Sequence, residues 1–161
     1  MKVEIFSDGS ARGNPGPGGY GTILRYVDRT GQEHIREYSD GYKKTTNNRM
    51  ELLGAIVGFE HLTKPCEVIF TSDSKYVVDA FNQGWIESWL RNNWRKSDKK
   101  PVKNKDLWVR LLNAVKPHQV TYVWVKGHDG HAFNERCDEL ATSAADSENL
   151  LEDSWEEEGH L

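Results

Sequence analysis

Two cysteines, Cys66 and Cys137, are all that this 161-residue chain has for covalent crosslinking. They stand far apart with no CxxC spacing, which argues against a disulfide framework and a thiolate metal site. They read as free thiols of a reducing compartment, so the expected location is the cytoplasm. Long hydrophobic runs are also missing: none approaches the ~20 residues that a membrane-spanning helix needs. The opening MKVEIFSDGS lacks the apolar stretch and small-residue site of a secretory signal. No internal repeat is visible. A strong charge of either sign is absent too, and the formal net charge of -4 at first argues against a polyanionic partner. That average misleads. Residues 144–161 hold seven acids (Asp146, Glu148, Glu152, Asp153, Glu156, Glu157 and Glu158) and no Lys or Arg, which leaves 18 acids against 21 bases upstream, a body of +3.

What is present suffices for a core. Hydrophobic residues make up 37% and aromatics 11% of the chain, enough for one domain without a structural metal. The expected domain spans residues 1–145, followed by an acidic, flexible tail over 146–161 with few core-forming residues.

Residues 2–8 alternate as a strand and end at Asp8, and GNPGPGG at 13–19 reads as a loop because its prolines and glycines break regular structure. Residues 20–28 and 31–39 form a predicted hairpin turning near Arg29–Gly31. Thr45 or Thr46 caps a predicted helix to about Leu62, since Met50, Leu53, Ile56 and Val57 recur at helical spacing. CEVIFTSD at 66–73 reads as a buried strand ending at Asp73. Helices are predicted at 74–83, 85–95, 104–115 and 132–144, with a strand at 119–125. Strands first, then alternating helices and strands, imply an α/β domain with a mixed sheet.

Four acids sit where elements begin or end beside small or polar residues: Asp8 (FSDGS), Glu51 (NNRMELL), Asp73 (FTSDS) and Asp138 (NERCDEL). Singly, each reads as readily as a solvated or capping carboxylate. If clustered, they would repel and raise one another's pKa, and a hard divalent cation is the simplest way to keep them ionised. Oxygen-only ligands favour Mg²⁺ or Mn²⁺ over Zn²⁺. His128 and His131 in GHDGH have HxxH spacing, but no third nitrogen or sulfur ligand accompanies them, so zinc is disfavoured. A mobile His128 beside a metal-bound substrate suits proton transfer, and a surface loop histidine is the competing reading. Between Arg91 and Arg110 lie eight bases and two acids, interleaved with Trp94 and Trp108 and preceded by Trp85 and Trp89. This composition suits phosphate contact plus stacking, with Trp94, Lys99 and Lys100 as candidate contacts. A solvated helix face with core tryptophans is the alternative.

The blocks FSDGSxxGNPGPGGYG, TTNNRMEL, TSDSKYV, KKPVKNKDLW and VKGHDGHxxNERCDELA occur in the order and approximate spacing of type 1 ribonuclease H, and the chain resembles that family over about residues 1–143. The resemblance implies a ribonuclease H-like mixed five-stranded sheet flanked by helices. It also implies an endonuclease that cleaves the RNA of RNA–DNA hybrids, leaving 5′-phosphate and 3′-hydroxyl ends. By position, Asp8, Glu51, Asp73 and Asp138 resemble the ligands of two Mg²⁺ ions, with Mn²⁺ as a substitute, and His128 the histidine that assists proton transfer or product release. Asn14, Asn47 and Asn48 resemble groups that read the minor groove, where the 2′-hydroxyl marks RNA. Thr46 and Asn104 resemble a pocket for a DNA-strand phosphate, Trp85 an aromatic that packs on DNA sugars, and 91–105 a basic protrusion. The expected partner is an RNA–DNA hybrid, with no membrane, and the expected state a monomer.

Two features depart from the family pattern. Lys75 stands where many relatives carry a polar amide, and a cation there is expected to strengthen phosphate binding. The acidic tail has no counterpart, and reads as a solvating extension or as a competitor for the basic protrusion. A related-fold nuclease or strand-transfer enzyme, or a catalytically silent hybrid-binding module, are the other readings of the same acids.

Overall fold

The expected alternation of elements is realised in the computed structural model, which describes residues 1–127 and 130–153. Its elements are β1 Lys2–Ala11, β2 Gly16–Val27, β3 Glu33–Thr45, α1 Asn47–Glu60, β4 Glu67–Ser72, α2 Lys75–Asn82, α3 Trp85–Arg91, α4 Lys105–Val115, β5 Gln119–Trp124 and α5 Ala132–Ala145. The sheet order is β3-β2-β1-β4-β5. β1 pairs antiparallel with β2, and β2 with β3, whereas β1, β4 and β5 run parallel. The α/β class and the mixed five-stranded sheet are therefore as the sequence implied. No helix among the described residues is long and apolar enough to cross a membrane.

Each element follows from local chemistry. The β2–β3 turn is closed by Asp28, whose Oδ1 accepts from the backbone N–H of Thr30 and Gln32 at 2.9 and 3.0 Å, with Gly31 at φ +86°. Thr46 is the N-cap of α1, its hydroxyl accepting from Arg49 N at 3.2 Å. α1 lies over β1 and β2 with α2 and α4 on the same side, and its Leu52, Ala55, Ile56 and Phe59 are buried with Val3, Ile5, Val68, Phe70 and Trp108. α5 covers the other face of β1, β2 and β3. It comes close where β2 and β3 carry glycine beneath it. A Cβ on Gly19, Gly21 or Gly41 would lie 2.5, 2.3 or 2.1 Å from the carbonyl oxygens of Ala141, Cys137 and Ala144.

Several boundaries differ from the sequence reading, among them the end of β3, predicted near residue 39 and found at Thr45. β1 continues to Ala11 and β2 begins at Gly16, inside the stretch read as a loop, because Ser10 and Ala11 pair with Gly19 and Gly18. The helix predicted over 85–95 stops at Arg91: Asn93 and Trp94 have φ of 55° and 60°, and Trp94 N bonds to Trp89 O at 2.7 Å. The tail was expected to be flexible from residue 146, but residues 146–153 lie against the domain. Leu151 pairs with the edge of β3, its N–H donating to Gly41 O at 2.8 Å and its carbonyl accepting from Lys43 N at 2.9 Å. Asp153 reaches Arg49 at 2.8 Å. The physical reason is the buried Arg49 guanidinium, 1% exposed, which needs carboxylate partners that composition alone does not reveal.

Candidate active site

Strand register brings two of the acids together. Ser7 and Ser72 are partners on the parallel strands β1 and β4, so Asp8 and Asp73 follow at the same level on neighbouring strands, at their carboxyl ends. Glu51 arrives from α1 because Gly9 has no side chain: a Cβ there would lie 2.4 Å from Glu51 N. The Gly9 N–H donates to Glu51 Oε1 at 2.8 Å and to Asp8 Oδ1 at 2.9 Å. Carboxylate oxygens of Asp8, Glu51 and Asp73 all lie within 4.8 Å of one another. Asp138, from α5, lines the same cleft of about 450 Å³ together with Ser10, Asn47, Asn48, Ser74, Lys75 and Tyr76, but falls outside that closest set.

The cluster is electrostatically costly. Burial foremost, then the negative charges of Glu51 and Asp73, hold the Asp8 carboxyl far above the usual carboxylate range. Burial likewise raises Glu51, opposed by its hydrogen bonds with Asp8 and the Gly9 N–H. Glu51 Oε2 is buried without a hydrogen-bond partner among the described residues. An all-oxygen donor set, a cluster that ionises reluctantly and an orphaned buried carboxylate oxygen fit a hard divalent cation.

The remaining sequence candidates divide. Asn47, Asn48 and Lys75 share the acid cleft, and the Lys75 ammonium lies 4.7 Å from the Trp124 ring centre. The Trp124 Nε1–H is tied to Asp73 O at 3.0 Å. Asn14 stands beside this group, its Oδ1 accepting from Asn47 N at 3.3 Å. Thr46 and Asn104 are the N-cap residues of α1 and α4, joined through Arg49. Trp85 is exposed at the start of α3. Trp94 is half-buried and packs on Trp89 with ring centres 6.1 Å apart. Lys99 and Lys100 are exposed on a turn closed by Lys96 N to Lys100 O at 2.9 Å. His128 lies outside the described residues. His131 caps α5 through Nδ1, which accepts from Asn134 N at 3.3 Å.

Sequence reasoning missed residues whose contribution is space or linkage. Gly127 approaches so closely that a Cβ would sit 2.7 Å from Asp73 Oδ2. Tyr76 lines the cleft while its hydroxyl accepts from Asn104 Nδ2 and Trp108 Nε1, each at 3.1 Å. Glycines beside acidic motifs were the available signal for the first, and nothing local marks the second.

Such a cluster at the carboxyl ends of parallel strands in a mixed sheet defines an α/β protein with an oxygen-only divalent-cation site. The RNase H family model matches residues 1–146. A ribonuclease H of Lachnoclostridium phytofermentans is 66% identical over 155 residues, 96% of this chain and 98% of its own length. One of Photorhabdus laumondii is 56% identical over 146 residues, covering 91% and 90%. Among solved structures, LC9-RNase H1, a type 1 RNase H with the type 2 active-site motif, superposes with a TM-score of 0.80 at 35% identity, over 89% of this chain and 72% of that one. LC11-RNase H1, solved in complex with RNA/DNA hybrid, gives 0.64 at 27% identity over 89% and 96%. The chain belongs to the RNase H family.

Proposed function

We propose that this chain is an endoribonuclease that hydrolyses the RNA strand of RNA–DNA hybrids with two divalent cations, Mg²⁺ in the cell and Mn²⁺ as a substitute. The observation that carries the reading is the meeting of three carboxylates within 4.8 Å in a chain of this family. The hybrid bound to the related LC11-RNase H1 supports the substrate. In the reaction a water oxygen attacks phosphorus and the P–O3′ bond breaks, giving 3′-hydroxyl and 5′-phosphate ends. When bound, the cations would neutralise the developing phosphate charge and make the attacking water more acidic.

The chain's own residues hold and orient. Asp8, Glu51, Asp73 and Asp138 supply the oxygen donors, and the Gly9 N–H fixes Glu51. Asn47 and Asn48 line the cleft with amide groups suited to a minor-groove 2′-hydroxyl, with Asn14 beside them. Lys75 is the one cationic side chain lining the cleft among the described residues and is assigned to an RNA-strand phosphate. His128 is assigned to proton transfer. Trp85, Trp94, Lys99, Lys100, Thr46 and Asn104 are assigned to the DNA strand and flanking phosphates. Two free, buried cysteines accord with a reducing compartment, and the cytoplasm is the location proposed.

Incubation of the protein with a labelled RNA–DNA hybrid, with EDTA, Mg²⁺ or Mn²⁺ and with duplex DNA as control, tests this. Cleavage of the RNA strand only, dependent on added metal, is expected. Turnover in EDTA, or equal cleavage of duplex DNA, would overturn the proposal.

A further inference from the structure

The segment that follows α5 carries a buried carboxylate, Asp153, into contact with a buried arginine. The Asp153 side chain, 4% exposed, accepts from Thr45 Oγ1 at 2.7 Å, Arg49 Nε at 2.8 Å and Arg49 Nη2 at 3.0 Å. The same guanidinium gives Nη1 and Nη2 to Asp106 at 2.9 and 2.8 Å, and Nη1 to Asn104 Oδ1 at 3.3 Å. One buried cation thus ties the first turn of α1, the start of α4 and the C-terminal strap. Asn104 closes the basic loop at left-handed φ 61°, and its Nδ2 donates to Tyr76, which lines the acid cleft.

We propose that Asp153 is a positioning residue for nucleic-acid binding: by holding Arg49 and Thr45 it sets the first turn of α1, with Asn47 and Asn48, against the end of the basic loop at Asn104. This deepens the hybrid-binding reading above and rests on it. Stability alone is a poor reason for the arrangement, because a buried ion pair often stabilises no more than apolar packing of equal volume; fixing register between segments is the better-attested use. Asp106 by itself leaves the Arg49 Nε–H and the Thr45 hydroxyl without their acceptor. Without Asp153 the guanidinium re-centres on Asp106, and Asn104 loses its fixed orientation.

Removing Asp153 also deletes a negative charge, which by itself would tighten binding of a polyanion. That effect is the smaller one, since the carboxylate is buried and its charge is partly offset by Arg49 at 2.8 Å, a cation it shares with Asp106. Weaker binding is therefore expected, on the scale of residues that couple to a site without touching ligand, about two- to thirtyfold.

The experiment compares full-length wild type with Asp153→Asn, Arg49→Lys, their double variant and Glu152→Gln. Among the described residues Glu152 pairs with exposed Lys43, at 3.0 Å, and it serves as a charge control on the same strap. Affinity for a fluorescent RNA–DNA hybrid is read by anisotropy in EDTA at 25 °C, with KM and kcat in Mg²⁺ and Tm alongside. Asp153→Asn should raise Kd and KM by that factor, with the effect falling on KM more than on kcat. Arg49→Lys should do the same, the double variant should bind no worse than the weaker single one, and Glu152→Gln should match wild type. A lower Tm with wild-type Kd, or a Kd below wild type, would overturn the proposal. If Asp153→Asn does not fold at 25 °C, Arg49→Lys decides the question by the same readings. A wild type that neither binds nor cuts the hybrid would sink the proposed function as well, whereas normal wild-type behaviour with unaffected variants would sink this inference alone.

Discussion

Gly9→Ala is the sharpest perturbation of the metal-binding geometry that leaves every carboxylate in place. The added Cβ would lie 2.4 Å from both Glu51 N and Met50 C, where ordinary contact begins near 3.4 Å, so α1 must retreat from β1 by about 1 Å. The atoms in the way are helix backbone, and no rotamer change relieves them. Overpacking of this kind costs about 1–3 kcal/mol, and in a chain of this size about 2 kcal/mol lowers Tm by about 4–8 °C. Function should suffer more than stability. Glu51 rides on the displaced backbone and loses its 2.8 Å hydrogen bond from Gly9, and misplacing a reacting constellation by about 1 Å costs on the order of 100-fold in rate. Single-turnover cleavage of a labelled hybrid in saturating Mg²⁺, paired with thermal melts followed by circular dichroism, reads both quantities. A variant that melts several degrees low but cleaves within threefold of wild type would refute the idea that Gly9 sets the position of Glu51.

Three further outcomes are expected. Asp8→Asn should abolish turnover in Mg²⁺ while the protein stays folded by circular dichroism; near-normal cleavage would exclude Asp8 as a ligand. Asp8 and Glu51 have folded pKa values above their unfolded ones, Asp8 at about 10 against 3.8 and Glu51 at about 7 against 4.5, so the native state binds more protons there and stability falls as pH rises from about 4 through 7 and on toward 10. Tm in EDTA should accordingly drop between pH 5 and 8, Mg²⁺ should reverse the drop at pH 8, and Asp8→Asn should flatten it; a rising Tm in EDTA would contradict the cluster. Gly127→Ala places a Cβ 2.7 Å from Asp73 Oδ2 and should raise the Mg²⁺ midpoint of activity by about tenfold, in the range of outer-shell mutations, as read by metal titration; an unchanged midpoint would show that Asp73 yields freely.

The fold was legible where apolar residues are dense and a polar cap or break marks the ends. α1 follows the Thr46 cap and is buried around most of its circumference, and β4 is a short apolar run ending at Asp73, so both elements and the strand-end acids could be read along the chain. The convergence of Glu51 with Asp8 could not, because it depends on contact between Gly9 and Glu51, 42 residues apart, that only packing creates. Composition misled where tertiary contact overrides it. The glycine-rich start of β2 resembles a loop, yet Gly18 and Gly19 are strand positions paired with β1, and Gly19 is pressed by the α5 backbone. The acidic segment after α5 resembles solvent-loving chain, yet Asp153 is drawn in by a buried arginine more than 100 residues earlier. Nothing near Asp153 in sequence announces that partner.

The bare strip formed by Gly19, Gly21 and Gly41 has a consequence for how this architecture tolerates change. Side chains between a helix and a sheet usually serve as adjustable spacers, and drift in their size shifts the gap by fractions of an ångström. Here carbonyl oxygens of α5 face the strands with no spacer at all. The height of α5 is therefore pinned at these three positions, and Asp138 inherits a distance from Asp8 that a single methyl group on that strip would shift.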